Sequence, residues 1–230
     1  MGVFITGDTH GKFQRITDFC EKFKTTNNDV LIILGDAGIN YWSNKSDIRL
    51  KKRLAQLPIT LFCIHGNHER RPEKMESYKD IPWWGDIALY EEEYPNLIFA
   101  RDGSLYDIEG ITTFVCGGAY SADKYYRLER GNLWFPDEQP HEKTKELCEK
   151  KLASVDWNVD RVLTHTCPKR YVPTEAFIPA IDQSTVDTST EEWLDHIFSK
   201  LSFERWLCGH YHINKSIDNI TFLFEDIIPW

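Results

Sequence analysis

The chain has 230 residues, 41% of them hydrophobic and 27% charged, the composition of an ordinary soluble protein long enough for one large globular domain. No apolar run approaches the ~20 residues a membrane helix needs, and no basic-then-apolar stretch opens the chain as a secretory signal would. A net charge of −9 argues against broad nucleic-acid binding through a basic surface, but not against a phosphate substrate, because bound dications invert the local field.

In chain order, Val3 to Thr6 reads as a strand. It is followed by Phe13, Ile16, Phe19, Cys20 and Phe23 on one helical face. Met1-Gly2 with Thr6 fits a myristoylation pattern, but a first strand buried at Val3 to Thr6 would hold that end in the fold. Val30 to Leu34 is a continuous apolar run, as expected of a strand buried on both faces. A helix around Ser46 to Leu57 stops at Pro58, and Ile59 to Ile64 gives a third strand. This β-α-β-α-β opening implies a parallel sheet layered with helices.

Shorter strands follow at Ile87 to Tyr90, Leu97 to Ala100, Leu105 to Ile108 and Ile111 to Cys116, and then a loop across 117–136. A helix is expected over Glu138 to Ala153 and a strand over Arg161 to Thr164. Trp193, Leu194, Ile197, Phe198 and Leu201 make a helical stripe. Strands at Arg205 to Leu207, Lys215 to Asp218 and Thr221 to Phe224 close the chain. Without repeats, low-complexity segments or a Gly/Ser linker, residues 1–230 read as a single domain. Six scattered cysteines with no C-x-x-C pair are expected to be reduced core thiols in a cytoplasmic protein.

Polar clusters follow five of these strands: Gly7-Asp8-Thr9-His10-Gly11, Gly35-Asp36-Ala37-Gly38, Gly66-Asn67-His68-Glu69, Thr164-His165-Thr166 and Gly209-His210-Tyr211-His212. In an open α/β sheet, ligands bind beyond the carboxyl ends of parallel strands, so these segments are expected to converge on one edge. Oxygen and imidazole donors without thiolate suit two divalent ions of Mn, Fe or Zn. Asp-x-His and His-x-His spacings fit a shared site because alternate residues of an extended chain point the same way. Asp36, alone on its loop, is the natural bridge between two cations.

The ordered set Asp8-x-His10, Gly35-Asp36, Gly66-Asn67-His68-Glu69, His165 and Gly209-His210-x-His212 resembles the calcineurin-like metallophosphoesterase family, over residues 8 to 212. The resemblance implies an α/β fold, a four-layer α-β-β-α sandwich of two mixed β-sheets. It places Asp8, His10, Asp36 and His212 on one metal and Asp36, Asn67, His165 and His210 on the other. The implied reaction is hydrolysis of a phosphomonoester, phosphodiester or nucleotide pyrophosphate by a hydroxide held between the cations. His68, next to Asn67 but outside the ligand set, is the expected acid for the leaving oxygen, with an orienting role as the alternative. Glu69 is expected to hold the His68 ring or to begin the next helix.

Some relatives carry an arginine shortly after the second Gly-Asp, whereas this chain reads Gly35-Asp36-Ala37-Gly38-Ile39-Asn40-Tyr41-Trp42. Arg70 or Arg71 would supply the missing cation. The segment Cys116 to Arg127 resembles a stretch of small bacterial and prophage-encoded members. There Lys124 and Arg127 are candidates for phosphate binding, and Tyr125, Tyr126 and Trp134 for stacking on a base. The competing reading is a solvated loop in which Asp123 ties down Arg127. The expected partner is a small phosphorylated or nucleotide substrate, with no membrane. Nuclease action is disfavoured by charge, and a metal-free protein-binding scaffold by the complete donor set.

Overall fold

The computed structural model describes all residues, Met1–Trp230. The opening is as expected: β1 (Val3–Thr6), α1 (Gln14–Phe23), β2 (Val30–Ile33), α2 (Lys45–Leu54) and β3 (Thr60–Cys63). The middle adds β4 (Lys79–Trp83), β5 (Asp86–Glu91), β6 (Tyr94–Ala100), β7 (Leu105–Ile108) and β8 (Ile111–Cys116). Then come α3 (Lys124–Glu129), α4 (Glu142–Ala153), β9 (Arg161–Thr164), α5 (Ser189–Lys200) and β10 (Arg205–Cys208). β11 (Lys215–Ile217), β12 (Ile220–Phe222) and β13 (Ile227–Pro229) complete the order. Three of these elements, β4, α3 and β13, stand where the sequence pattern predicts no element. The helix expected from Glu138 begins at Glu142, because Glu138 turns inward to accept hydrogen bonds from Ser121.

The strands form a seven-stranded sheet, β13-β1-β2-β3-β6-β5-β4, and a six-stranded sheet, β11-β12-β10-β9-β8-β7. Both are mixed. β1, β2, β3 and β6 run parallel in the first, and β8, β9, β10 and β12 in the second, with antiparallel strands at the edges.

Three apolar layers explain the stacking. Between the sheets, Ile5, Ile32, Phe62 and Ile98 of one meet Tyr106, Val115, Leu163 and Leu207 of the other, all essentially inaccessible. On the outer face of the first sheet, Ile16, Phe19 and Cys20 of α1 and Leu54 of α2 cover Leu31, Ile33 and Leu61. The i, i+3, i+4 spacing of the α1 residues is the periodicity read in the sequence. On the outer face of the second, Cys148 and Leu152 of α4 and Leu194 and Ile197 of α5 cover Phe114, Val162 and Trp206. The result is helix, sheet, sheet, helix. Each buried Ile, Leu or Phe contributes about 1.5–3 kcal/mol, so the strands are fixed and the loops at their ends are held on a rigid base.

Candidate metal centre

Five parallel strands stop at the same edge of the sandwich and hand over to the polar clusters. β1 leads to Asp8 and His10, β2 to Asp36, β3 to Asn67 and His68, β9 to His165, and β10 to His210 and His212. Four of these residues, His10, Asp36, His210 and His212, adopt the left-handed region, with φ between 46° and 67°. A non-glycine residue there costs about 1–2 kcal/mol, and such strain persists where the surroundings over-determine the conformation. The glycines serve close approach. A Cβ on Gly66 would collide with the backbone nitrogen and carboxylate of Asp36, and one on Gly35 with the ring of His165.

The two carboxylates are buried and each is half engaged. Asp8 Oδ1 accepts the His210 backbone N–H at 3.0 Å, and Asp36 Oδ1 accepts that of His68 at 2.7 Å. The second oxygens face the imidazoles. Asp36 Oδ2 lies 3.8 Å from His10 Nδ1 and 3.7 Å from His165 Nε2, one donor from each of the two expected ligand sets. Asp8 Oδ2 is 3.6 Å from His10 Nε2 and 3.2 Å from His212 Nε2, yet no well-directed hydrogen bond reaches it. His10 Nε2 and His212 Nε2 face each other at 2.8 Å. Asn67 Oδ1 lies 2.8 Å from His165 Nε2 and 3.1 Å from His210 Nδ1.

Orientation is imposed from outside the cluster. His165 Nδ1 donates to the Leu34 carbonyl at 2.8 Å, which leaves the lone pair on Nε2, toward Asp36 and Asn67. The Asn67 amide donates to Ser121 Oγ at 2.9 Å, which aims its carbonyl oxygen inward. Ser121 donates in turn to Glu138. A buried oxygen without a partner, converging neutral imidazoles and a carbonyl are what hard or borderline divalent cations require. The ligand atoms of Asp8, His10 and His212 lie within 4.8 Å of one another, as do those of Asp8, Asp36 and His165. The residues present therefore fit a pair of such ions, and all seven expected donors come together.

The electrostatics agree. Burial opposes ionisation of Asp8, but facing His212, His165 and His10 outweigh it and hold the carboxyl below the usual range. Asp36 behaves alike, with burial overcome by His165 and His68. Burial pushes His210 down to about 3, which keeps it in the neutral, ligating form. The Asp8 carboxylate, with Oδ2 3.2 Å from Nε2, raises His212.

His68 stands at the mouth, its Nε2 4.0 Å from Asp36 Oδ2 and 3.4 Å from Arg127 Nη2. Burial lowers its pKa, with Arg127 acting in the same sense and Asp36 against it. Arg127 donates through Nε to Asp123 at 2.7 Å and through Nη1 to Tyr41 OH at 3.2 Å. The local ion pair and the approach to the site thus coexist. The other expected cations do not converge. Arg71 is buried, paired with Asp102 at 2.5 Å and donating to the Asp137 carbonyl, so it braces the loop after β8. Arg70 is exposed and lines neither cleft at the centre. Lys124 Nζ sits over Trp134, 4.2 Å from the ring centroid.

Glu69 neither holds the His68 ring nor begins a helix. It is fully buried and accepts from Gly38 N at 3.0 Å and Gly66 N at 3.3 Å, tying the Asp36 and Asn67 loops together. Burial, then the charge of Asp36, pushes its carboxyl up to about 8. Cys167 packs in the helix-side layer of the second sheet, where burial raises its thiol. His141 and His196 are exposed, and His65 is buried with Nε2 3.0 Å from the Glu69 carbonyl.

Three contributors carry no signal in the sequence. Arg15 of α1 donates to the Gly7, Asp8 and Phe224 carbonyls and braces the turn after β1. Ser121 lies inside a segment that stands out for its cations. Residues 169–188, between β9 and α5, wall a cavity of about 670 Å³ whose floor includes Asp36, Asn67 and His210. An arginine at the second position of a first helix does not announce its target, and short 3-10 turns have no periodicity to read.

A sequence profile described as calcineurin-like phosphoesterase matches residues 1–214. Among solved structures, TT1561 of Thermus thermophilus is 12% identical with a TM-score of 0.50, over 96% of this chain and 87% of that one. A further crystal structure is 11% identical with a TM-score of 0.51, over 96% and 88%. Phosphopantetheinyl hydrolase (PptH) from Mycobacterium tuberculosis aligns at 15% identity and a TM-score of 0.48, over 97% and 88%. At these identities the likeness to the first two is one of fold. A comparison with curated proteins gives no significant match.

Proposed function

Because the chain belongs to the calcineurin-like phosphoesterase family, we propose that it is a metal-dependent hydrolase of a phosphate ester or anhydride. The observation that carries this reading is Asp36 Oδ2, turned toward His10 and His165 from opposite members of the donor set. Asp8, His10, Asp36 and His212 would hold one divalent cation, and Asp36, Asn67, His165 and His210 the other. Such a pair supplies a water nucleophile at neutral pH and polarises the phosphoryl oxygens.

The chain's own groups do the rest. His165 and Asn67 are held in one orientation by Leu34 and Ser121, so the donor set is preorganised. Arg127 extends Nη2 toward His68 and faces the charge that gathers on the transferring group. His68 moves a proton at Nε2 to the departing oxygen. The direct test is to load the protein with Mn²⁺ and assay p-nitrophenyl phosphate, bis-p-nitrophenyl phosphate and a nucleotide panel, with Asp36→Asn beside it. Turnover by the parent that vanishes in Asp36→Asn is expected. Two bound metals with no turnover of any ester would contradict the reading.

A further inference from the structure

Two clefts meet at the centre, and their linings share only His10, His68 and Arg127. The larger, about 670 Å³, is walled by Val172, Phe177, Ile178 and Val186 from the segment between β9 and α5. The smaller, about 350 Å³, is lined by Tyr41 and Trp42 ahead of α2 and by Leu50 within it. Both volumes fall in the range of about 300–1,000 Å³ typical of small-molecule sites. A reacting group held at His68 and Arg127 therefore has a partly apolar chamber available in each of two directions. Trp42 is 56% exposed with its ring edge-on to Tyr41, leaving an open aromatic face beside the site.

The charges around the clefts point the same way. A phosphomonoester brings two negative charges and a diester brings one. Beyond the metals, the clefts offer few uncommitted cations. Arg127, which meets the reacting group, shares its charge with Asp123; Arg170 is paired with Asp195 at 2.7 Å, and Lys169 lies 3.8 Å from Glu192. Arg71 is turned away into its pair with Asp102. The surroundings suit a singly charged phosphorus centre with bulk on both sides.

Building on the hydrolase reading, we propose that the substrate is a phosphodiester with an organic group on each side of phosphorus. One group lies against the Phe177 wall and the other against Trp42. In hydrolysis the water oxygen bonds to phosphorus and one phosphorus–oxygen ester bond breaks. The departing oxygen keeps the bonding pair and takes one proton, and the second proton of water goes to the phosphomonoester or the medium.

Binding tests this without relying on turnover. Calorimetric titration of the Mn²⁺-loaded protein with diphenyl phosphate and with phenyl phosphate would be compared across the parent, Phe177→Ala and Trp42→Ala. Removing the aromatic ring from one side should weaken diphenyl phosphate about three- to tenfold in each variant. Phenyl phosphate, filling one chamber, should respond to only one of the two. Ile178→Ser, half exposed on the same wall, replaces Phe177→Ala should that variant melt early. Diphenyl phosphate binding that ignores either side would overturn the proposal. Two-sided binding with no hydrolysis of any p-nitrophenyl ester would support the groove and remove the hydrolase reading instead.

Discussion

Asn67 and Ser121 are joined across 54 residues by a 2.9 Å hydrogen bond from the amide to the hydroxyl, and this bond decides which end of Asn67 faces His165 and His210. An amide free to rotate would present N–H groups to the centre as readily as its oxygen. Ser121→Ala should therefore weaken metal binding by about 10-fold or more, in the range seen when a ligand's orienting partner is removed. Metal titration at fixed pH reads the effect. Unchanged affinity would mean that the loop holds Asn67 without the hydroxyl.

The arginines at 71 and 127 should behave in opposite ways. Arg71→Ala strands Asp102, whose carboxylate keeps the Gly117 N–H but loses its cation. Breaking a buried pair costs about 3–5 kcal/mol, so the midpoint of denaturant unfolding should fall sharply while activity per folded molecule holds. Arg127→Ala should leave the midpoint nearly unchanged and lower kcat/KM, since its guanidinium is part-exposed at the cleft.

Glu69 makes the stability of the metal-free protein fall as pH rises from about 4.5 to about 8. Its folded pKa of about 8 lies above the ordinary 4.5, so between those values the folded state keeps a proton that the unfolded chain has released. Stability from this group is full below pH 4.5 and falls as pH rises toward 8, with a limiting slope of about 1.4 kcal/mol per unit. Glu69→Gln should flatten that slope in unfolding measured across roughly pH 5 to 8. Bound cations beside Asp36 should shrink the difference between the two proteins, because the charge of Asp36 helps raise Glu69.

Gly66→Ala isolates close approach from backbone conformation. Its Cβ would meet the Asp36 nitrogen and carboxylate, neither of which is the far end of a flexible chain. Overpacking of this kind costs about 1–3 kcal/mol. A lower melting temperature together with loss of bound metal is expected, and a variant with full metal content would show that the Asp36 loop yields.

The donors are legible in the sequence because each sits just past an apolar run, and strand ends are marked by a change from hydrophobic to glycine and acid or imidazole. The parallel sheet layered with helices follows from the same runs, while the second sheet of the sandwich is an expectation of the family resemblance. What escapes has physical reasons. β4 and β13 each contain a proline, Pro82 and Pro229, which argues against a strand except at a sheet edge, and both lie at the edges of the first sheet. The short helix α3 buries none of its residues, so it has no apolar stripe. Adjacency to Asn67 groups Arg71 with the site, but its partner Asp102 stands 31 residues on, and nothing local announces the pairing.

The five strands that feed the centre are divided between two sheets joined face to face mainly by apolar packing, with Tyr106 Oη donating across it to the Ile87 carbonyl at 2.9 Å. Asp8, His10, Asp36 and Asn67 ride on one half, and His165, His210 and His212 on the other. A small shear of one half along the other changes every separation between the two groups before a single ladder bond is lost. A cation held across that seam would act as a rivet, and the rate at which it escapes would gauge how often the halves slide.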